Sequence, residues 1–206
     1  DQALNFKLKN LDSIGKITTN GNLSVDLQSD YVQQNQDQLV AGGSLDLITT
    51  GKVTNQSELT AGGTLSVQAQ SFENQANAKV AGGTATNITV QGNIDNHGLI
   101  NGGDTTLKAN TVNNLGTGRI YGDHIAVQAD TLNNTPENGT AAVIASRGDM
   151  DLGVRVLNNN EKYSGYLLSE HFGLEIKFNN DNAVYQRNGK IILKDVKYTL
   201  SNEFLR

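Results

Sequence analysis

Apolar and polar residues alternate in short runs that return at regular intervals: Leu45/Leu47, Leu65/Val67, Ile125/Val127 and Met150/Leu152. A period of two is the signature of a strand with one face turned inward and the other outward. Between the runs stand Gly and Asn, the residues that most readily supply the positive-φ positions a turning chain requires at its corners. The pattern predicts many short strands separated by tight corners.

The runs share a period. A small residue followed by two glycines opens several of them, as Ala41-Gly42-Gly43-Ser44-Leu45 and Ala61-Gly62-Gly63-Thr64-Leu65, continued by Ala81-Gly82-Gly83 and Asn101-Gly102-Gly103. Counted on the second glycine, the anchor falls at 21, 43, 63, 83 and 103, with Asp123 and Gly148 as later equivalents. A second anchor, an apolar residue with Asn two positions on, interlocks with the first. It appears as Val53/Asn55, Phe72/Asn74, Ile94/Asn96, Val112/Asn114, Leu132/Asn134 and Leu157/Asn159. A unit of about 20 residues is too small to bury a face alone, but stacked units bury it together, which is the logic of a solenoid. In such a stack the recurring Asn would lie on Asn above and below, each amide satisfying the next. Leu45, Leu65, Leu107, Val127 and Met150 are the expected inward positions. The expected fold is all-β, a right-handed parallel β-helix with a divergent β-rich C-terminal segment.

The unit resembles the haemagglutinin repeat of filamentous haemagglutinin and related two-partner secretion exoproteins. The Leu-Asn-Asn groups at 132–134 and 157–159 and the Gly-Gly-x-Leu-x-Leu strands carry the likeness. The stretch from Val143 to Gly153, running into Val156-Leu157-Asn158-Asn159, is most similar to effectors of contact-dependent growth inhibition. The resemblance spans roughly residues 14–160. It implies a secreted filament on the outer surface of a Gram-negative bacterium. That filament would be exported through an outer-membrane two-partner secretion transporter and would reach a receptor on a target bacterium or host cell. Asn-Pro-Asn secretion motifs are missing and the single Pro is Pro136, so the transporter-docking domain is not expected here. The chain starts in mid-pattern without Met, and is read as a fragment of a much longer protein.

Composition trims the alternatives. The net charge is −5 and no basic stripe with interleaved aromatics appears, which argues against a nucleic-acid partner. With no Cys, neither disulfides nor thiolate metal sites are available. No apolar run is long enough for a membrane helix.

Beyond residue 160 the texture changes. Seven of the eleven aromatics fall in 161–206, and the Gly-Gly and Asn anchors vanish. Asn188-Gly189 between Val184-Tyr185 and Ile191-Leu193 reads as a hairpin turn. The domain reading is a haemagglutinin-repeat β-helix over 1–160, followed by 161–206 as a strand-rich continuation, a cap, or the start of a receptor-binding region. Phe172, Phe178 and Ile191 are expected to be buried. Tyr163, Tyr166 and Tyr185 are the candidate partner-binding residues, because a tyrosine hydroxyl tolerates water.

Other candidates have bland explanations. Arg147-Gly148-Asp149 matches an integrin-recognition tripeptide, yet Gly148 falls on the repeat's turn glycine and Asp149 on the position of Ser44, Thr64 and Asp104. His97, His124 and His171 lack partners at ligand spacing, so no metal or other cofactor is expected. Glu170 and Glu175 could be imagined as an acid/base pair of a carbohydrate-active β-helix. The outward columns, however, hold Ser, Thr, Asn, Gln and isolated Asp rather than clustered carboxylates, so no enzyme is expected. Asn-x-Ser/Thr recurs, at Asn22, Asn55, Asn87 and Asn138 among others, about as often as expected of a chain so rich in Asn and Thr. The leading function is a non-enzymatic filament segment, with a direct receptor-binding module as the alternative.

Overall fold

The computed structural model describes residues 3–12 and 14–159 in full, and beyond them the backbone strands Tyr166–Ser169, Leu174–Lys177, Ala183–Arg187 and Lys190–Lys194. Every regular element among the described residues is a strand. One coil shows the plan. Leu45–Thr49 lies on a first face, Lys52–Asn55 on a second and Glu58–Ala61 on a third. Each pairs in parallel with its counterparts one coil before and one coil after. The chain is therefore a parallel β-helix, and the right-handed sense is the one that parallel crossover connections adopt. Coil stacking reaches back to Leu4–Leu8 on Leu23–Leu27, ahead of the point near residue 14 where the family resemblance began.

On the first face eight strands stack from Leu4–Leu8 to Met150–Asn158. At about 4.8 Å per step these seven steps make a rod of roughly 34 Å. The strands His124–Thr135 and Met150–Asn158 run unbroken around the corner, so the first and second faces merge into one thirteen-stranded sheet. The third face stays parallel from Lys16–Thr19 through Tyr166–Ser169. There Leu167 lies opposite Ile144, and the next strand, Leu174–Lys177, turns antiparallel. Ala183–Arg187 and Lys190–Lys194 pair as a hairpin with Arg187 opposite Lys190, the arrangement Asn188-Gly189 implied.

The core is a set of columns. Val25, Leu47, Val67, Ile88, Leu107, Val127 and Leu152 align on the first face. Leu39, Leu59, Val80, Ile100, Ile120 and Ile144 align on the third. All are buried, as are the expected inward residues Leu45, Leu65 and Met150. Alternation puts every second side chain into the interior, so a strand slipped by one residue would turn its apolar set outward.

The corner glycines correct one expectation. None of Gly42, Gly43, Gly62, Gly63, Gly82, Gly83, Gly102 or Gly103 has positive φ. Their constraint is close approach between coils. A Cβ on Gly42 would sit 2.5 Å from the Asn20 carbonyl oxygen, and one on Gly62 would sit closer still to that of Gly42. Positive φ appears instead between the second and third faces, at Gln36, Asn77 and Gly116, and in the longer connection there at Asn138 and Gly139.

The glycine count also misplaces one coil. Gly82, not Ala81, lies opposite Ala61, and Ala85 lies opposite Thr64. From Thr64 to Ala85 is 21 residues and from Ala85 to Asp104 is 19, rather than 20 each. The slip puts Thr86 into the column that Leu45 and Leu65 occupy, where Thr105 follows it in the next coil. Both hydroxyls are satisfied at the corner: Thr86 Oγ1 donates to the Asn101 carbonyl at 2.6 Å and accepts from the Gly82 amide at 2.8 Å, while Thr105 Oγ1 donates to the Tyr121 carbonyl at 2.7 Å. A buried hydroxyl with partners is tolerated where an unpaired one would not be.

Candidate functional site

The second face carries the most ordered chemistry. Gln33, Asn55, Asn74, Asn96, Asn114, Asn134 and Asn159 are all buried. They include the six Asn of the apolar-x-Asn anchor, and the apolar partners Val53, Phe72, Ile94, Val112, Leu132 and Leu157 are buried beside them. From Asn55 onward the amides form a chain in which each Nδ2 donates to the Oδ1 of the next coil. The distances are 2.9, 2.8, 2.8, 2.8 and 2.7 Å from Asn55 to Asn159. The second proton of each donor goes to a main-chain carbonyl across the corner: Lys79, Leu99, Arg119, Val143 and Ala142 in turn. The amides therefore bond along the stack and pin the second face to the third-face side of each coil. At the N-terminal end the buried Tyr31 hydroxyl donates to Gln33 Oε1. Burial, and then the charge of Asp37, push the Tyr31 phenol well above its ordinary value.

A second ladder was missed by sequence reading. Asn158 donates to Asn133 at 2.8 Å, Asn133 to Asn113 at 2.7 Å, and Asn113 to the Asp95 carboxylate at 2.6 Å. These residues face outward, half-buried. Donation runs toward the N-terminal end, opposite to the buried ladder, because the row ends on a carboxylate that can only accept. Its signal was present in the doubled Asn113-Asn114, Asn133-Asn134 and Asn158-Asn159.

Charged residues act mostly as cross-coil links. Lys52 pairs with Glu73, Arg147 with Asp123, and Arg155 with Asp130 through two nitrogens. The hydrogen bond from Lys52 holds the Glu73 carboxyl below its usual range, and the one from Arg155 does the same for Asp130. His124, which sequence spacing left without partners, lies 2.9 Å from Asp151 and 3.8 Å from Asp104. His97 lies 3.0 Å from Glu137. These partners are a coil or more away in sequence, so local spacing hides them. Among the described residues no group of three His, Cys, Asp or Glu is placed to hold a metal ion.

Gly148 stacks on Asp123, and Met150 lies opposite Ile125, so Asp149 falls in the column of Asp104 and His124. The Asp149 carbonyl accepts from the Ile125 amide and the Ser146 hydroxyl. Arg147-Gly148-Asp149 is thus an element of the coil. His171, the side chains of Glu170 and Glu175, those of Tyr163, Tyr166 and Tyr185, and those of Phe172, Phe178 and Ile191 lie outside the described residues.

No curated protein and no solved structure matches the chain. The haemagglutinin repeat family model matches it three times, over residues 3–57, 40–98 and 98–154. The matched stretch is the same one that forms the stacked coils, and the chain belongs to the haemagglutinin repeat family.

Proposed function

We propose that this chain is a segment of the shaft of a secreted filamentous exoprotein on the surface of a Gram-negative bacterium. It acts as a rigid spacer that sets a functional tip at a distance from the cell. The observation that carries this reading is the buried amide ladder, which ties successive coils by side chains as well as by main chain. Two parallel sets of hydrogen bonds along one axis resist bending and slippage better than backbone pairing alone. In this reading the exoprotein leaves through a two-partner secretion transporter, and its tip serves adhesion or delivers a toxin in contact-dependent growth inhibition. The concentration of aromatic residues in 161–206 favours a second reading, in which Tyr163, Tyr166 and Tyr185 contact a receptor directly.

The test uses the full exoprotein on intact bacteria. Antibody against the coils is expected to label the outside of the cell, and in-frame duplication of whole coils should move a downstream label outward by about 4.8 Å per coil. Labelling confined to the cell interior, or a label distance that ignores coil number, would contradict the spacer reading. Binding of target-cell envelopes by 161–206 in the absence of the coils would favour the second.

A further inference from the structure

The connection between Thr135 and Val143 carries a small hairpin. Glu137 and Thr140 pair through two main-chain bonds, amide to carbonyl at 3.0 and 2.9 Å. Between them Asn138 has φ 49° and Gly139 φ 77°, the backbone of a two-residue turn with both central residues left-handed. Both are exposed, and a Cβ built on Gly139 would meet nothing within 4 Å. We propose that Asn138 is a self-modifying site, the position at which the folded shaft converts an asparagine to aspartate and isoaspartate through a cyclic imide.

The chemistry needs only the chain and water. The Gly139 main-chain nitrogen attacks Asn138 Cγ, the Cγ–Nδ2 bond breaks, and ammonia departs with the proton that left the Gly139 nitrogen. Water then opens the imide at either carbonyl, giving aspartate or isoaspartate. Glycine favours the step because no side chain hinders its nitrogen, and the attack requires the Asn–Gly unit to leave its resting dihedrals.

The described residues hold two other Asn-Gly pairs, and the fold restrains both. At Asn20-Gly21 the Gly21 amide donates to Thr19 Oγ1 at 3.1 Å, while the carbonyls of Thr19 and Gly21 accept from Gly42 and Gly43 in the next coil. At Asn101-Gly102 the asparagine ends a strand between Ala81 and Tyr121, and Gly102 is buried with the space for a Cβ only 2.7 Å from the Thr86 amide. Reorienting either peptide means opening a coil, whereas the Glu137–Thr140 tip can open alone. Conversion would place a new carboxylate beside Glu137, whose Oε2 lies 3.0 Å from His97 Nε2. The isoaspartate form would also add a backbone methylene to a turn that has room for only two residues.

The experiment is incubation of the whole folded chain in isotope-labelled water at mildly alkaline pH, with peptide mass mapping over time. Local opening costs range from near zero at loop tips to the full unfolding free energy in packed strands. Label should therefore enter Asn138 roughly tenfold or more faster than Asn20 or Asn101. In denaturant the three rates should converge. The variant Gly139→Ala should slow entry at Asn138 while the coils stay folded. Equal rates at the three sites in the folded chain, an Asn138 that stays unlabelled, or an unchanged rate in Gly139→Ala would each overturn the proposal.

Discussion

Asn96 illustrates what a single residue contributes. It accepts from Asn74, donates to Asn114 at 2.8 Å, and gives its second proton to the Arg119 carbonyl. Asn96→Ala would leave a buried donor on Asn74, with the Asn114 and Arg119 oxygens losing their donor. Because an orphaned buried polar group costs about 1–3 kcal/mol, the variant should lose about 3 kcal/mol in urea unfolding. Asn113→Ala breaks an outward ladder that water can repair, and should lose about 1 kcal/mol or less. Equal losses would mean that the buried ladder has no special weight. The apolar-x-Asn spacing made this row readable in the sequence. The outward row was not, because nothing in a single Asn-Asn pair says that both residues stack.

At the scale of the element, each corner is fixed by what the coil below allows. Gly62 packs over the Gly42 carbonyl, so Gly62→Ala requires the main chain of two coils to separate. It should cost roughly 2–4 kcal/mol, beyond the ordinary penalty of strain alone. Gly139→Ala only strains a left-handed residue and should cost about 1–2 kcal/mol, confined to the hairpin. Thermal melts of the two variants check the order. The Lys52–Glu73 link adds a pH dependence. Its carboxyl is depressed in the fold, so its stabilisation is present above the ordinary carboxyl value of 4.5 and is lost as pH falls through the folded value. Both side chains are substantially exposed, so the contribution stays under about 1 kcal/mol. Lys52→Met should lose that contribution near neutral pH, leave stability at the acid end unchanged, and so flatten that part of the acid limb. The sequence announced glycine at these corners but not its reason. Close approach depends on the neighbouring coil, which local sequence does not display.

Across the whole molecule, the period was legible because every coil repeats the same burial problem. Alternation marked the inward residues, and the two anchors marked the corners. What the sequence concealed was the register of one coil, since Ala81-Gly82-Gly83 imitates its neighbours while Gly82 takes the position of Ala61. Register in a stacked sheet is set by which residues face inward, and a change of one residue reverses every side chain. This distinguishes two deletions that differ by a single residue. Removing residues 65–85 joins Thr64 to Thr86 and keeps Thr86, Ile88 and Val90 inward, since Ala85 is the partner of Thr64. Removing 65–84 follows the apparent 20-residue period, yet joins Thr64 to Ala85 and turns Ile88 and Val90 outward. The most direct test of the stacked-coil account is cooperative thermal unfolding of these two deletions beside the parent chain. Deletion of 65–85 should give one cooperative transition close to that of the parent. Deletion of 65–84 should broaden or lose it. Two deletions that melt alike, or a better-folded 65–84, would contradict the register on which the shaft is built.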